Sequence, residues 1–145
     1  MEKETFTPWK TSNGWNKENT EEAKENAKTI LTYLTGQENF NPSAFPTQLT
    51  ECLRQYYTWG ANKFMLLLSD EGNTGLQFNV TGMKFRGRVR VWYDAGVDYF
   101  RAEFLKARKL DCVQMYDDLD FTQLHNVLHQ FIERTDDKKC FDTFS

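Results

Sequence analysis

The sequence predicts an α+β domain, an antiparallel β-meander of about four to five strands with about three helices packed on one face. Three observations carry that expectation. Lys84 to Tyr93 reads K-F-R-G-R-V-R-V-W-Y, a strict alternation of polar and apolar side chains. A turn signal, Asp94-Ala95-Gly96-Val97, leads into a second alternating run from Asp98 to Lys106. Helical spacing of apolar residues appears both upstream and downstream of these runs.

Residues 1–18 read as a polar N-terminal arm that carries Phe6, Trp9 and Trp15. Such an arm either lies over its own domain, burying its aromatics, or docks on another chain. Residues 19–134 form the expected domain and 135–145 a charged tail. Asn19 suits the N-cap of a first helix, with Glu22 at N3 and Ala23, Ala27, Ile30, Leu31 and Leu34 at helical spacing. Gly36 suits its C′ position. After a loop with Pro42 and Pro46, a second helix is expected from Pro46 to about Trp59, with Leu49, Cys52, Leu53, Tyr56 and Tyr57 on its apolar face. Gly60 ends it. Phe64 to Leu68 reads as a buried strand.

Side chains alternate across a strand, so parity decides which face each residue joins. A tight Gly82-Met83 turn, with glycine at the first central position, pairs Val80 with Phe85 and Phe78 with Gly87. A loop centred on Ala95-Gly96 pairs Val91 with Phe100, Val89 with Ala102 and Gly87 with Phe104. On the other face it pairs Trp92 with Tyr99, Arg90 with Arg101 and Arg88 with Glu103. Leu110 to Tyr116 gives a further strand. Asp120 caps a last helix, with Gln123 three residues on and Phe121, Leu124, Val127, Leu128, Phe131 and Ile132 as its core stripe.

The net charge of −3 and mean hydropathy of −0.70 suit a chain in water and give no general electrostatic pull toward nucleic acid. No run is long and apolar enough for a membrane span or a signal peptide. Cys52, Cys112 and Cys140 are odd in number and widely spaced, which reads as reduced thiols in a cytoplasmic protein.

No phosphate-binding loop or nucleophile signature is present, so the sequence predicts neither an enzyme nor a cofactor. His125 and His129 stand at a spacing that can share a metal ion, but no third ligand is placed and a packed or solvated pair is expected. Asp117, Asp118 and Asp120 are explained by the helix start that follows them, with a Mg²⁺-type site as the alternative. The candidate site is the basic and aromatic sheet face of Arg86, Arg88, Arg90, Trp92, Tyr99 and Arg101. Arginine beside aromatics suits a protein interface or self-association. The alternative is nucleic acid, through phosphate pairing and base stacking. The bland alternative is a solvated polar face.

The order helix, meander, helix resembles the double-stranded-RNA-binding domain. That family opens its last helix with a lysine-rich motif; here the helix opens Asp120-Phe121-Thr122-Gln123, so no RNA-binding role is carried over. Tyr57-Thr58-Trp59-Gly60-Ala61, Leu76-Gln77-Phe78-Asn79-Val80, Gly87-Arg88-Val89-Arg90-Val91 and Asp94-Ala95-Gly96-Val97-Asp98 look like segments of small proteins carried by phages and conjugative elements of gut anaerobes. That resemblance implies a bacterial cytoplasmic setting and no particular activity.

Overall fold

The computed structural model describes residues 6–38, 40–41, 49–108 and 111–133. Helices α1 (Lys17–Thr35) and α2 (Glu51–Thr58) precede strands β1 (Asn62–Leu68), β2 (Thr74–Thr81), β3 (Arg86–Asp94), β4 (Tyr99–Leu105) and β5 (Cys112–Leu119), and α3 (Phe121–Ile132) closes the order. The five strands form one antiparallel sheet in sequence order, the expected meander. All three helices contribute to the core on one side of it. Ile30 and Leu34 of α1, Leu53 and Tyr56 of α2, and Leu124, Leu128 and Ile132 of α3 pack with Phe78, Val89, Val91, Ala102 and Phe104 of the sheet. No described helix is long and apolar enough to cross a membrane.

Helix ends depart from expectation by a few residues. Asn16, not Asn19, caps α1; Asn19 sits at N3 and completes the capping box from there. Both residues carry the same amide, and the one whose backbone stays extended takes the cap. Gly36 adopts the left-handed conformation expected of it, with φ +73. Helix α2 starts after Thr50, and Pro42 and Pro46 lie outside the described residues. Leu49 and Tyr57 are exposed, leaving Cys52, Leu53 and Tyr56 as the buried face of α2. Cys52 is disulfide-bonded, against the expected set of reduced thiols, whereas Cys112 is free and Cys140 lies outside the described residues.

The two hairpins keep the expected faces but not the expected pairs. Val80 faces Gly87 and Phe78 faces Val89 across β2–β3. Across β3–β4, Val91 faces Ala102, Val89 faces Phe104, Trp92 faces Arg101, Arg90 faces Glu103 and Arg88 faces Leu105. Every pair has slid by an even number of residues, which moves neighbours without turning any side chain over. The cause lies in the loops, each two residues longer at the turn than expected. The first loop spans residues 82–85 because Lys84 and Phe85 donate their backbone N–H groups to Ile132 O, at 2.9 and 3.2 Å. The second spans residues 95–98. Asp94 holds it by accepting from Gly96 N through its side chain and from Asp98 N through its carbonyl, and Asp98 takes a left-handed φ of +57. Gly87 is therefore covered by the Phe85 ring, not flanked by Phe78 and Phe104 as expected.

Gly82 marks the point where this loop meets α3. A Cβ there would lie 2.3 Å from Ile132 Cγ2 and 2.4 Å from Ile132 O. Gly82→Ala is expected to cost about 2 kcal/mol of stability by forcing the loop off the helix end. Urea denaturation reads this, and a loss below about 0.5 kcal/mol would show that the loop is not anchored there.

Candidate functional site: a strapped arginine face and an aromatic cleft

The face expected to be open is crossed by the chain's own arm. Phe6 bridges to Cys112 of β5, and Thr11 bridges to Ser69 beyond β1. Ser12 donates its backbone N–H to Leu68 O at 2.7 Å, and Asp70 donates to Lys10 O at 3.1 Å. The arm thus runs as a strap from one edge of the sheet to the other. Trp9 lies against Trp92 with ring centroids 5.5 Å apart, and the Arg101 guanidinium sits 5.2 Å from the centroid of the Trp9 ring.

Beneath the strap Glu103 is fully enclosed, at 0% exposure. Its Oε1 accepts from Trp92 Nε1 at 2.9 Å. Its Oε2 accepts from the backbone N–H of Trp9 at 2.8 Å and from Arg101 Nε at 2.8 Å. Arg101 also donates to Asp117 Oδ2 and to Thr7 O, both at 2.9 Å. Arg90 donates Nε–H to Gln77 Oε1 at 2.9 Å, and burial lowers its pKa against the opposing pull of Glu103.

The expected site residues are therefore divided. Arg90, Trp92 and Arg101 are buried under the strap. Arg86 is exposed and Arg88 half-buried, so only these two of the four arginines present much of themselves to solvent. Tyr99 is 42% exposed but stands at the far end of the hairpin, beside a different feature. The like-charge pair expected between Arg90 and Arg101 does not occur, because the register sets Arg90 opposite Glu103.

That other feature is a cleft of about 540 Å³ between α1, the β3–β4 hairpin and the start of α3. Helix α1 contributes Asn26, Thr29 and Tyr33; the hairpin contributes Tyr93, Val97, Asp98, Tyr99 and Phe100; α3 and its cap contribute Asp120 and Phe121. Tyr33 lies 5.2 Å from Phe121 and 5.7 Å from Phe100 between ring centroids. Tyr93 donates its hydroxyl to Asp98 Oδ1 at 2.5 Å, and that bond raises the tyrosine pKa. Asp120 caps α3 through Oδ1, accepting from Thr122 N and Gln123 N. No lysine, arginine or histidine stands among the described residues lining the cleft. Sequence reading missed Tyr33 and Asp98 and placed Phe121 in the core stripe, although Phe121 is half-exposed at the mouth. The signal available was Tyr33, an aromatic outside the apolar stripe of its own helix, and nothing in the sequence brought it together with Phe121.

The histidine pair is committed elsewhere. His125 and His129 are buried rather than solvated. His125 Nδ1 lies 2.6 Å from Leu34 O, and Nε2 lies 2.9 Å from Gln55 Oε1, whose amide nitrogen in turn donates to Glu51. Trp59 Nε1 donates to His129 Nδ1 at 2.9 Å. These bonds tie α3 to α1 and α2. Burial pushes His125 down to about 4, although the Leu34 carbonyl beside it favours the protonated ring. No group of three or more metal-ligating side chains occurs among the described residues.

No protein-family model, curated protein or solved structure matches the chain.

Two outcomes are expected from these networks. Glu103→Gln breaks a buried ion pair and is expected to cost about 3 kcal/mol, whereas Arg86→Gln, out in solvent, is expected to stay within about 0.5 kcal/mol. Urea midpoints compare them, and equal small effects would show that the strap does not seal Glu103. For His125 the folded value lies below the ordinary 6.5, so the unfolded chain binds the extra proton. The stabilising contribution is whole above about pH 6.5 and is lost as pH falls toward 4, at roughly 1.4 kcal/mol per unit and about 3 kcal/mol in all. Denaturation of the wild type and of His125→Leu at pH 7 and 4.5 reads it; the variant is expected to lose less stability on acidification, and parallel losses would refute the assignment.

Proposed function

We propose that the chain is a non-enzymatic binding module that holds a cationic side chain of a protein partner in the aromatic cleft. The observation that carries this reading is the combination found there: π faces from Tyr33, Tyr93, Phe100 and Phe121, the carboxylates of Asp98 and Asp120, and no cation among the described lining residues. Ring faces attract cations, most strongly where water is excluded. The volume lies in the range of sites that enclose a side chain or small ligand. Tyr99, Phe121 and Val97 are exposed around the mouth, where a protein surface would bury them.

The arginine rows are the weaker basis for binding. With Arg90 and Arg101 turned under the strap, a nucleic acid would meet only Arg86 and Arg88 of the four, and each phosphate contact contributes separately. The disulfide at Cys52 also removes the argument for a reducing compartment, so a cytoplasmic setting forms no part of the reading.

The test is a titration of the labelled protein, followed by amide shifts, with three peptides that differ at one central residue. One carries arginine, one trimethyllysine and one the neutral norleucine. At least one cationic peptide is expected to bind about 30-fold more tightly than the neutral one, the equivalent of about 2 kcal/mol for a desolvated cation–π contact. Asp98→Asn, a change that a left-handed backbone tolerates, and Tyr33→Ala should each reduce that preference. Equal affinity for all three peptides, or no saturable shift with any, rejects the proposal. Filter binding with mixed DNA and RNA, abolished by Arg86→Gln and Arg88→Gln together, would favour the arginine rows instead.

A further inference from the structure

A shallow pocket open to solvent, of about 400 Å³, lies on the other side of the sheet where the strap passes Arg90. We infer that it is a binding site for a small organic carboxylate, held by the Arg90 guanidinium with Lys10 at the rim. This goes beyond the proposed function and does not depend on it.

The inference starts from an unbalanced guanidinium. Arg90 is 9% exposed, and its Nε is satisfied by Gln77. Among the described residues neither of its Nη nitrogens has an acceptor, although every fully enclosed side-chain nitrogen and oxygen has a partner. The Nη groups are therefore reached from the pocket that Arg90 lines. The carboxylate directly opposite, on Glu103, cannot serve them by default. Its two oxygens already accept from Trp92, Trp9 and Arg101. The planar Nη pair, open to the pocket, matches the two oxygens of a carboxylate.

The walls narrow the class further. Pro8, Trp9 and Leu105 give the pocket apolar sides, and Asp70 stands at its edge. Apolar walls suit the carbon skeleton of an organic acid and offer nothing to phosphate. Asp70 opposes a dianion more than it opposes a single negative charge.

The experiment follows the side-chain Nε–H signal of Arg90 in the labelled full chain at constant ionic strength. Acetate, butyrate, benzoate and inorganic phosphate are titrated to about 50 mM each, enough to see millimolar binding. The expected result is a saturable shift with butyrate or benzoate, at least about threefold tighter than with acetate or phosphate. Arg90→Lys, which lacks the fork, should weaken it about tenfold or more. Because that change is buried, Lys10→Gln serves as the exposed variant, with an expected weakening of about threefold. Phosphate binding as tightly as the organic acids overturns the assignment of class. The absence of a saturable shift with any carboxylate, or binding unchanged in Lys10→Gln and Arg90→Lys alike, overturns the site.

Discussion

The structure depends on keeping one enclosed carboxylate supplied with donors. Glu103 sits in the middle of β4 with no solvent contact, on the sheet face that carries no helix. An acidic group in that position is tolerable only when hydrogen-bonded and paired. Trp92 and Arg101 come from the sheet itself, but the backbone N–H of Trp9 comes from the arm. Strap and sheet are thus coupled by a polar requirement, and the Trp9–Trp92 contact adds apolar burial at the same point. A buried ion pair need not stabilise more than apolar residues of the same shape would. Its effect here is selective: it dictates where the arm must lie.

The sheet carries a polar network on each side, with different consequences. On the helical side, His125, Gln55, Trp59 and His129 cross-link helices whose apolar faces already pack together. On the strap side, the bonds at Thr7, Lys10 and Ser12 hold a segment that has no helix of its own. The first network titrates with His125. The second is built around the enclosed carboxylate of Glu103. Protonation of His125 therefore acts on the association of the helices, while the strap responds to loss of a partner of Glu103.

Period-two patterning made the faces of β2, β3 and β4 legible, because an even slide leaves parity intact. The register was not legible. The first hairpin loop is set by Ile132 O, about fifty residues further along the chain, and no local turn rule contains it. The second rests on Asp98 taking a left-handed conformation, which a sequence permits but does not demand. The helix caps show the same limit. Asp120 and Gln123 were readable as a capping box, whereas the choice between Asn16 and Asn19 turned on the path of the arm. The cleft was the least legible feature. Tyr33, Asp98 and Phe121 are far apart in the chain and come together only through the packing of α1 and α3 against the hairpin.

The arginine row shows what an alternating charged strand does and does not imply. Alternation establishes that Arg86, Arg88, Arg90 and Trp92 share a face; it says nothing about what covers that face. The residues that decide exposure are their cross-strand neighbours. Arg86 and Arg88 face Thr81, Asn79 and Leu105, none of which can neutralise a guanidinium, and they stay at least partly in solvent. Arg90 faces Gln77 and Glu103, and Arg101 faces Trp92 beside Glu103, so each has an acceptor within the sheet. Acceptors inside the sheet permit burial, and burial in turn calls for a cover with donors of its own. The arm supplies that cover with a backbone N–H and an indole ring. The guanidinium groups need acceptors instead, and their supply is complete at Arg101, through Glu103, Asp117 and Thr7 O, and incomplete at Arg90, where only Nε has one, Gln77 Oε1.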